Sequence, residues 1–75
     1  MAPPVSHTHR VHPLIARLRR VRLMKGISQA ALARKLGYVR EALEKWERGV
    51  RVPSWRSLMD WCDALEVELV VYERN

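Results

Sequence analysis

The sequence has few of the features that mark secreted or membrane proteins. Cys62 is the only cysteine in 75 residues, so no disulfide can form within the chain. No apolar run approaches the roughly 20 residues that a helix needs to cross a bilayer. The first residues lack the basic-then-apolar order of a signal peptide. We therefore expect a protein of the reducing cytoplasm with no membrane partner.

Acidic residues are scarce in the first two thirds of the chain. Residues 10–51 contain twelve Lys or Arg and three Glu, a net charge of +9, whereas residues 52–75 contain two Arg and five Asp or Glu, a net charge of −3. A basic region of this kind favours a polyanion partner such as nucleic acid. The alternative is a solvated surface that only keeps the protein in solution.

The most informative stretch is residues 28–49, SQAALARKLGYVREALEKWERG. It predicts two short helices joined by a sharp turn. Ala33 supplies the small side chain that two steeply crossing helices need, and Gly37 can adopt the positive φ of a tight turn. Leu43 and Trp46 are three residues apart, so they share the buried face of the second helix. This layout is that of a helix-turn-helix.

The stretch resembles the helix-turn-helix of the Xre/Cro family of phage repressors and small bacterial regulators. SQAALARKLG is similar to the first motif helix and turn of that family, and KWERG is similar to the end of its recognition helix. The resemblance covers residues 14–65 and implies an all-α, four-helix domain. It also implies that Arg22 pairs with Glu47 and so ties the first helix to the recognition helix.

We predict a recognition helix that begins at Val39 or Arg40, ends at Arg48 and enters the major groove with its first residues. Arg40 and Lys45 lie on its outward face. Both side chains can donate hydrogen bonds to guanine O6 and N7, and arginine can donate two at once. Arg40 and Lys45 are therefore the expected base readers.

Two carboxylates share this outward face and have two interpretations. Glu41 or Glu44 could accept a hydrogen bond from a cytosine amino group. Alternatively, they stabilise the helix through i,i+4 pairs, Glu41 with Lys45 and Glu44 with Arg48.

Further DNA contacts are expected around the reading face. Gln29 opens the first motif helix, where an amide and free backbone N–H groups can meet a phosphate, and the resemblance assigns it that contact. The alternative is a solvent-facing residue. The family commonly has Ser or Thr where this chain has Val39, which belongs to the expected DNA-binding residues but cannot cap the helix or contact phosphate through a hydroxyl. Tyr38 replaces a small apolar residue of the family, and we expect it to contact the DNA backbone. Arg51 lies where the family often has a basic residue near phosphate.

Two more helices are predicted, over residues 14–25 and 55–65. The apolar stripe of the first follows an i, i+4, i+7 spacing and comprises Leu14, Leu18 and Val21. Ser54 is the expected N-cap of the other helix. Its predicted buried stripe is Trp55, Leu58, Cys62 and Leu65, with Met59 and Trp61 at the margins.

Residues 67–72, VELVVY, are β-branched and partly alternating, which is typical of a strand. One face would carry Val67, Leu69 and Val71, and the other Glu68, Val70 and Tyr72. A lone strand in a helical chain has an unpaired edge, so we predict that it pairs with the same strand of a second subunit about a two-fold axis. A strand folded on its own subunit, or a frayed end, is the alternative.

Residues 1–13 contain three prolines and three histidines without apolar periodicity, which predicts a mobile tail. No cysteine or carboxylate lies near His7, His9 or His12, so a metal site is not favoured. An arm that brings Arg10 to DNA is the alternative to plain disorder.

These features predict a tail over residues 1–13, a helix-turn-helix domain over 14–66 and a dimerising strand over 67–75. The predicted function is a homodimeric transcriptional regulator, a repressor that reads a palindromic double-stranded operator and needs neither metal nor other cofactor. An antitoxin whose main partner is a toxin, with DNA autoregulation secondary, is the alternative. An enzyme is not expected, because no nucleophile and base are placed together.

Overall fold

The computed structural model describes residues 11–74, so the predictions for residues 1–10 and 75 lie outside the described part. Four α-helices follow one another: α1 (Pro13–Met24), α2 (Gln29–Leu36), α3 (Arg40–Arg48) and α4 (Trp55–Ala64). The predicted four-helix, all-α fold is confirmed. No helix within residues 11–74 is long and apolar enough to cross a membrane.

Polar side chains cap the N-termini of three helices. His12, Ser28 and Ser54 precede α1, α2 and α4, and each accepts a backbone N–H from the first turn at 3.0–3.1 Å. These bonds satisfy donors that have no partner within the helix. Pro13 follows His12 at the first helical position, where its missing N–H costs nothing. The helical domain therefore begins at the end of the segment predicted to be a tail.

The turn between α2 and α3 depends on a glycine. Gly37 has φ 78° and ψ 22°, a left-handed conformation that residues with a Cβ rarely adopt. The next amide, that of Tyr38, donates to the Ala33 carbonyl at 2.9 Å and closes the end of α2. As a result α3 begins only three residues after Gly37.

The core lies where the four helices meet, and its buried members are Ile15, Leu18, Leu32, Ala33, Leu43, Trp46, Trp61, Cys62 and Leu65. The residues predicted for the motif interior are thus buried. The prediction for α4 is wrong in one respect, because Trp61 is completely buried whereas Trp55 is 68% exposed. The two tryptophans flank the same stripe of α4 from opposite sides. Trp46 of α3 packs against Trp61, with ring centroids 6.0 Å apart, and so decides which one is buried.

The C-terminal segment, residues 67–74, forms neither helix nor strand in the single chain. Val67 packs against the core and Leu69 is half-buried, while Val70, Val71 and Tyr72 are exposed. The described residues therefore contain no strand folded on its own subunit. Pairing with a second subunit stays a prediction.

Candidate nucleic-acid interface

The start of α3 is open to an approaching ligand. Val39 is the N-cap residue of α3, is 66% exposed and makes no side-chain cap bond. Arg40 and Glu41 follow it and are also exposed, and Lys45 is half-buried one turn further on. The opposite side of α3 packs against the core through Leu43, which is completely buried. The first turn of α3 is therefore the part that can enter a groove.

A buried ion pair anchors α3 to α1. Arg22 Nε and Nη2 donate to the two oxygens of Glu47 at 2.6 and 2.8 Å, and the side chains are only 6% and 2% exposed. The third nitrogen, Nη1, donates to the Ile27 carbonyl at 2.7 Å. The pair implied by the resemblance is present, and its bidentate geometry satisfies most of the charged atoms that burial removes from water.

The same carboxylate extends the contacts toward the reading face. Gln29 Nε2 donates to Glu47 Oε1 at 3.0 Å, which fixes the orientation of the amide. Arg40 Nη1 in turn donates to Gln29 Oε1 at 3.3 Å. We call Arg22, Glu47, Gln29 and Arg40 the polar chain. It runs from the buried Arg22 of α1 to Arg40, the first residue of α3, and it places Gln29 beside the predicted base reader. The phosphate contact of Gln29 stays a prediction.

Sequence reasoning missed Arg19 as a member of this region. Its Nε lies 3.7 Å from Glu47 Oε1, and its side chain is 54% exposed. Arg19, Gln29 and Glu47 line one cleft of about 360 Å³ between α1, the start of α2 and α3. The only sequence signal was its position three residues before Arg22, on the neighbouring part of the helix surface.

The two carboxylates on the outward face differ. Glu44 accepts a hydrogen bond from Arg48 Nε at 2.6 Å, and this bond holds the pKa of Glu44 below its ordinary value. The helix-stabilising interpretation therefore fits Glu44. Glu41 Oε1 lies 3.9 Å from Arg40 Nε, and no ion pair joins it to Lys45 within residues 11–74. The charge of Glu44 is compensated locally, which lowers its repulsion of phosphate.

Tyr38 has a structural contact that the sequence did not suggest. Its hydroxyl lies 2.7 Å from Ser57 Oγ at the start of α4, and its ring meets Trp46 edge-on with centroids 5.2 Å apart. The predicted contact of Tyr38 with DNA stays a prediction, since the side chain is only half-buried. Arg51 is exposed in the loop after α3.

Metal ligands are not clustered in the part of the chain that the structure describes. Within residues 11–74, no three or more His, Cys, Asp or Glu side chains could hold an ion together. His12 uses Nδ1 as the N-cap of α1, and Cys62 is buried with a pKa raised by its removal from water.

Comparisons with known proteins give the same picture as the geometry. Residues 14–73 match the model of a family described as "Helix-turn-helix domain", whereas curated protein sequences give no match. Among solved structures, the chain is similar to the restriction-modification controller protein C.AhdI from Aeromonas hydrophila. The two share 36% sequence identity with a TM-score of 0.69, over 73% of this chain and 83% of that chain. This chain belongs to the Xre/Cro-type helix-turn-helix family of DNA-binding regulators.

Proposed function

We propose that the chain is a sequence-specific repressor that acts in the cytoplasm and binds a palindromic operator as a homodimer. The observation that carries this proposal is the polar chain, which holds Arg40 in place at the exposed start of α3. A guanidinium that is already oriented loses less conformational freedom when it binds a base edge. Such an arrangement suits reading of bases better than unspecific attraction to phosphate.

Arg40 donates to guanine O6 and N7 in the major groove in this proposal. Lys45 lies five residues further along α3 and reads a neighbouring base pair or a phosphate. Val39 is exposed and apolar, which suits contact with a thymine methyl group. Arg51 contacts the backbone and sets the register without reading sequence. Gln29 also contacts the backbone, and its amide oxygen orients Arg40.

Dimerisation comes from residues 67–72 in this proposal. The exposed Val70, Val71 and Tyr72 leave apolar surface in the single chain, and antiparallel pairing of two such segments satisfies one edge of each. A two-fold axis would present two recognition helices to half-sites about 34 Å apart. Each half-site would then carry the same sequence on opposite strands.

Control of transcription is the proposed output. The relative C.AhdI is described as a restriction-modification controller protein, and its likeness to this chain supports a role in gene control. The simplest way for a small DNA-binding dimer to act is to occupy a promoter and block the polymerase. Repression is therefore the proposed direction of control.

Selection of bound duplexes from a random pool tests the proposal. We expect an inverted repeat with half-sites one helical turn apart, a dimer in analytical ultracentrifugation, and reduced output from a reporter promoter that contains the selected site. Recovery of unrelated duplexes would contradict sequence reading. An increase in reporter output would contradict repression while leaving DNA binding intact.

One observation favours the antitoxin alternative. Trp55 is 68% exposed and Val52 is 90% exposed, so the start of α4 carries apolar surface that a toxin could cover. Trp61 cannot contribute to such a surface because it is completely buried. A stable complex with a second small protein from the same operon, lost in Trp55→Ala but retained in Arg40→Ala, would support this alternative over the repressor.

A further inference from the structure

The surface of α1 divides into two sides with different surroundings. Arg19 faces the cleft that contains Gln29 and Glu47. Arg17 and Arg20 share a second cleft with Arg19 and line a third, of about 340 Å³, with Val21 and Met24. At about 100° per residue, positions 17, 20 and 24 share one face of a helix, and position 19 lies almost opposite position 17. Arg17, Arg20 and Met24 therefore lie outside the cleft that holds Gln29 and Glu47, with Arg20 nearest to Arg19.

This second side is basic, partly apolar and exposed. We call Arg17, Arg20 and Met24 the outer face of α1. Both arginines are exposed, Met24 is 77% exposed, and α1 contains no acidic residue. A face of this composition suits a segment that carries carboxylates beside apolar side chains.

The C-terminal segment has that composition. Val67 and Leu69 are partly buried, whereas Glu68 and Val70 are exposed. Tyr72 is exposed too. This alternation covers residues 67–70 and turns Glu68 and Val70 away from the subunit's own core, while Val71 and Tyr72 after them are both exposed. The segment also starts beside α1, because Lys25 Nζ lies 3.8 Å from Glu66 Oε1.

The spacings of the two surfaces agree. Arg20 and Met24 are four residues apart on a helix, or about 6 Å along its axis. Glu68 and Val70 are two residues apart on an extended chain, or about 6.6 Å. A segment laid along α1 can therefore bring Glu68 to Arg20 while Val70 covers Met24.

Paired strands need such a surface. A ribbon of only two strands is marginally stable in water and gains stability by packing against a helix. In the single chain Val70, Val71 and Tyr72 remain exposed, so the segment does not cover the outer face of its own α1. A second copy of the chain can supply both the second strand and the covering helix.

We propose that the outer face of α1 is the docking surface for the C-terminal segment of a second copy of this chain. This inference rests on the proposed homodimer and specifies what its strands pack on. Arg20 meets Glu68 of the partner subunit, Met24 is covered by the partner subunit's Val70, and the contact is repeated by the two-fold axis. The segment thus binds across the dimer instead of folding back.

Charge reversal tests the docking surface. The variant Arg17→Glu/Arg20→Glu should raise the dissociation constant of the dimer about tenfold or more in analytical ultracentrifugation, because it places like charges opposite Glu68. Adding Glu68→Arg should restore dimerisation. Arg34→Glu, a charge reversal at an exposed position of α2, is the matched control and should leave the dimer unchanged.

Cross-linking gives a second measurement that does not depend on charge. A chain with Met24→Cys mixed with a chain with Val70→Cys should form a disulfide-linked heterodimer, since Cys62 is buried and unreactive. Met24→Cys mixed with Glu41→Cys, an exposed position on α3, should not.

The outcomes separate this inference from the proposed function. If the unmodified chain dimerises but charge reversal has no effect and the heterodimer does not form, the docking surface is wrong and the homodimer stands. If the unmodified chain remains a monomer at high concentration, both are overturned.

Discussion

Arg22 on α1 and Glu47 on α3 are 25 residues apart and are joined by two hydrogen bonds of 2.6 and 2.8 Å inside the protein. Removing one member of such a pair leaves the other charge buried without a partner, which commonly costs about 3–5 kcal/mol. Small domains have only about 5–15 kcal/mol in total. This pair therefore accounts for a large share of the stability and also holds α3, which carries the candidate DNA-binding surface, against α1.

Glu47→Ala should lower the free energy of unfolding by about 3–5 kcal/mol in urea titrations followed by tryptophan fluorescence. Glu44→Ala is the matched control. It also removes a carboxylate from α3, but this carboxylate bonds an exposed arginine, Arg48. Exposed pairs contribute little, so the control should change the midpoint only slightly. Equal effects of the two substitutions would show that the buried pair contributes no more to the free energy of unfolding than the exposed pair does.

Arg40→Ala should weaken binding to the selected operator by about 1–3 kcal/mol and relax the preference at one base pair per half-site. Competition gel shifts with operators changed at each position would measure both effects. Arg34→Ala removes an exposed arginine from α2, and any loss it causes should be the same for every operator. An unchanged preference in Arg40→Ala would place the base reader elsewhere.

Gln29→Ala should relax preference at the same base pair as Arg40→Ala. A residue that only contacts phosphate would weaken binding to all sequences alike, but here the amide oxygen accepts from Arg40 Nη1. The double variant should lose less than the sum of the two single losses, with a coupling of about 0.5–3 kcal/mol. Additive losses in a double-mutant cycle would mean that the contact does not orient Arg40.

Tyr38→Phe should lower the free energy of unfolding by about 1 kcal/mol, because it removes the bond between the phenol and Ser57 while keeping the ring against Trp46. Operator affinity should stay within about twofold, since a loss near 0.4 kcal/mol is below that of a direct contact. The reverse result, unchanged stability with weaker binding, would indicate that the Tyr38 hydroxyl contacts the DNA backbone.

Cys62 should react with iodoacetamide only when the protein unfolds, because the thiol is buried and its removal from water raises its pKa above the ordinary value of 9.0. A group whose pKa is higher in the folded state stabilises the fold below the unfolded pKa. Its contribution is lost as the pH rises above about 9. Cys62→Ala should remove this alkaline part of the pH dependence, and rapid labelling of the native protein would contradict the buried position.

The helices of the motif were predictable because their ends have local causes. Ser28, Ser54 and Gly37 mark ends that depend only on neighbouring backbone groups. The choice between Trp55 and Trp61 was not predictable in this way. Both flank one stripe of α4, and the ring of Trp46 from another helix selects Trp61.

The polar chain shows a similar limit for the site. The resemblance implied the pair of Arg22 and Glu47, and helical spacing places Arg22 on the same side of α1 as Ile15 and Leu18. The contact between Gln29 and Arg40 joins two helices across the turn, so it depends on how steeply they cross. Such contacts become visible only when the packing of the helices is known.

The Glu47 carboxylate belongs to α3 but accepts hydrogen bonds from α1 and α2. Detachment of α1 or α3 separates this carboxylate from Arg22 and breaks both hydrogen bonds of the buried pair, so we expect the two helices to unfold together. Partly unfolded molecules, in which α3 has lost its support from α1, should therefore be rare.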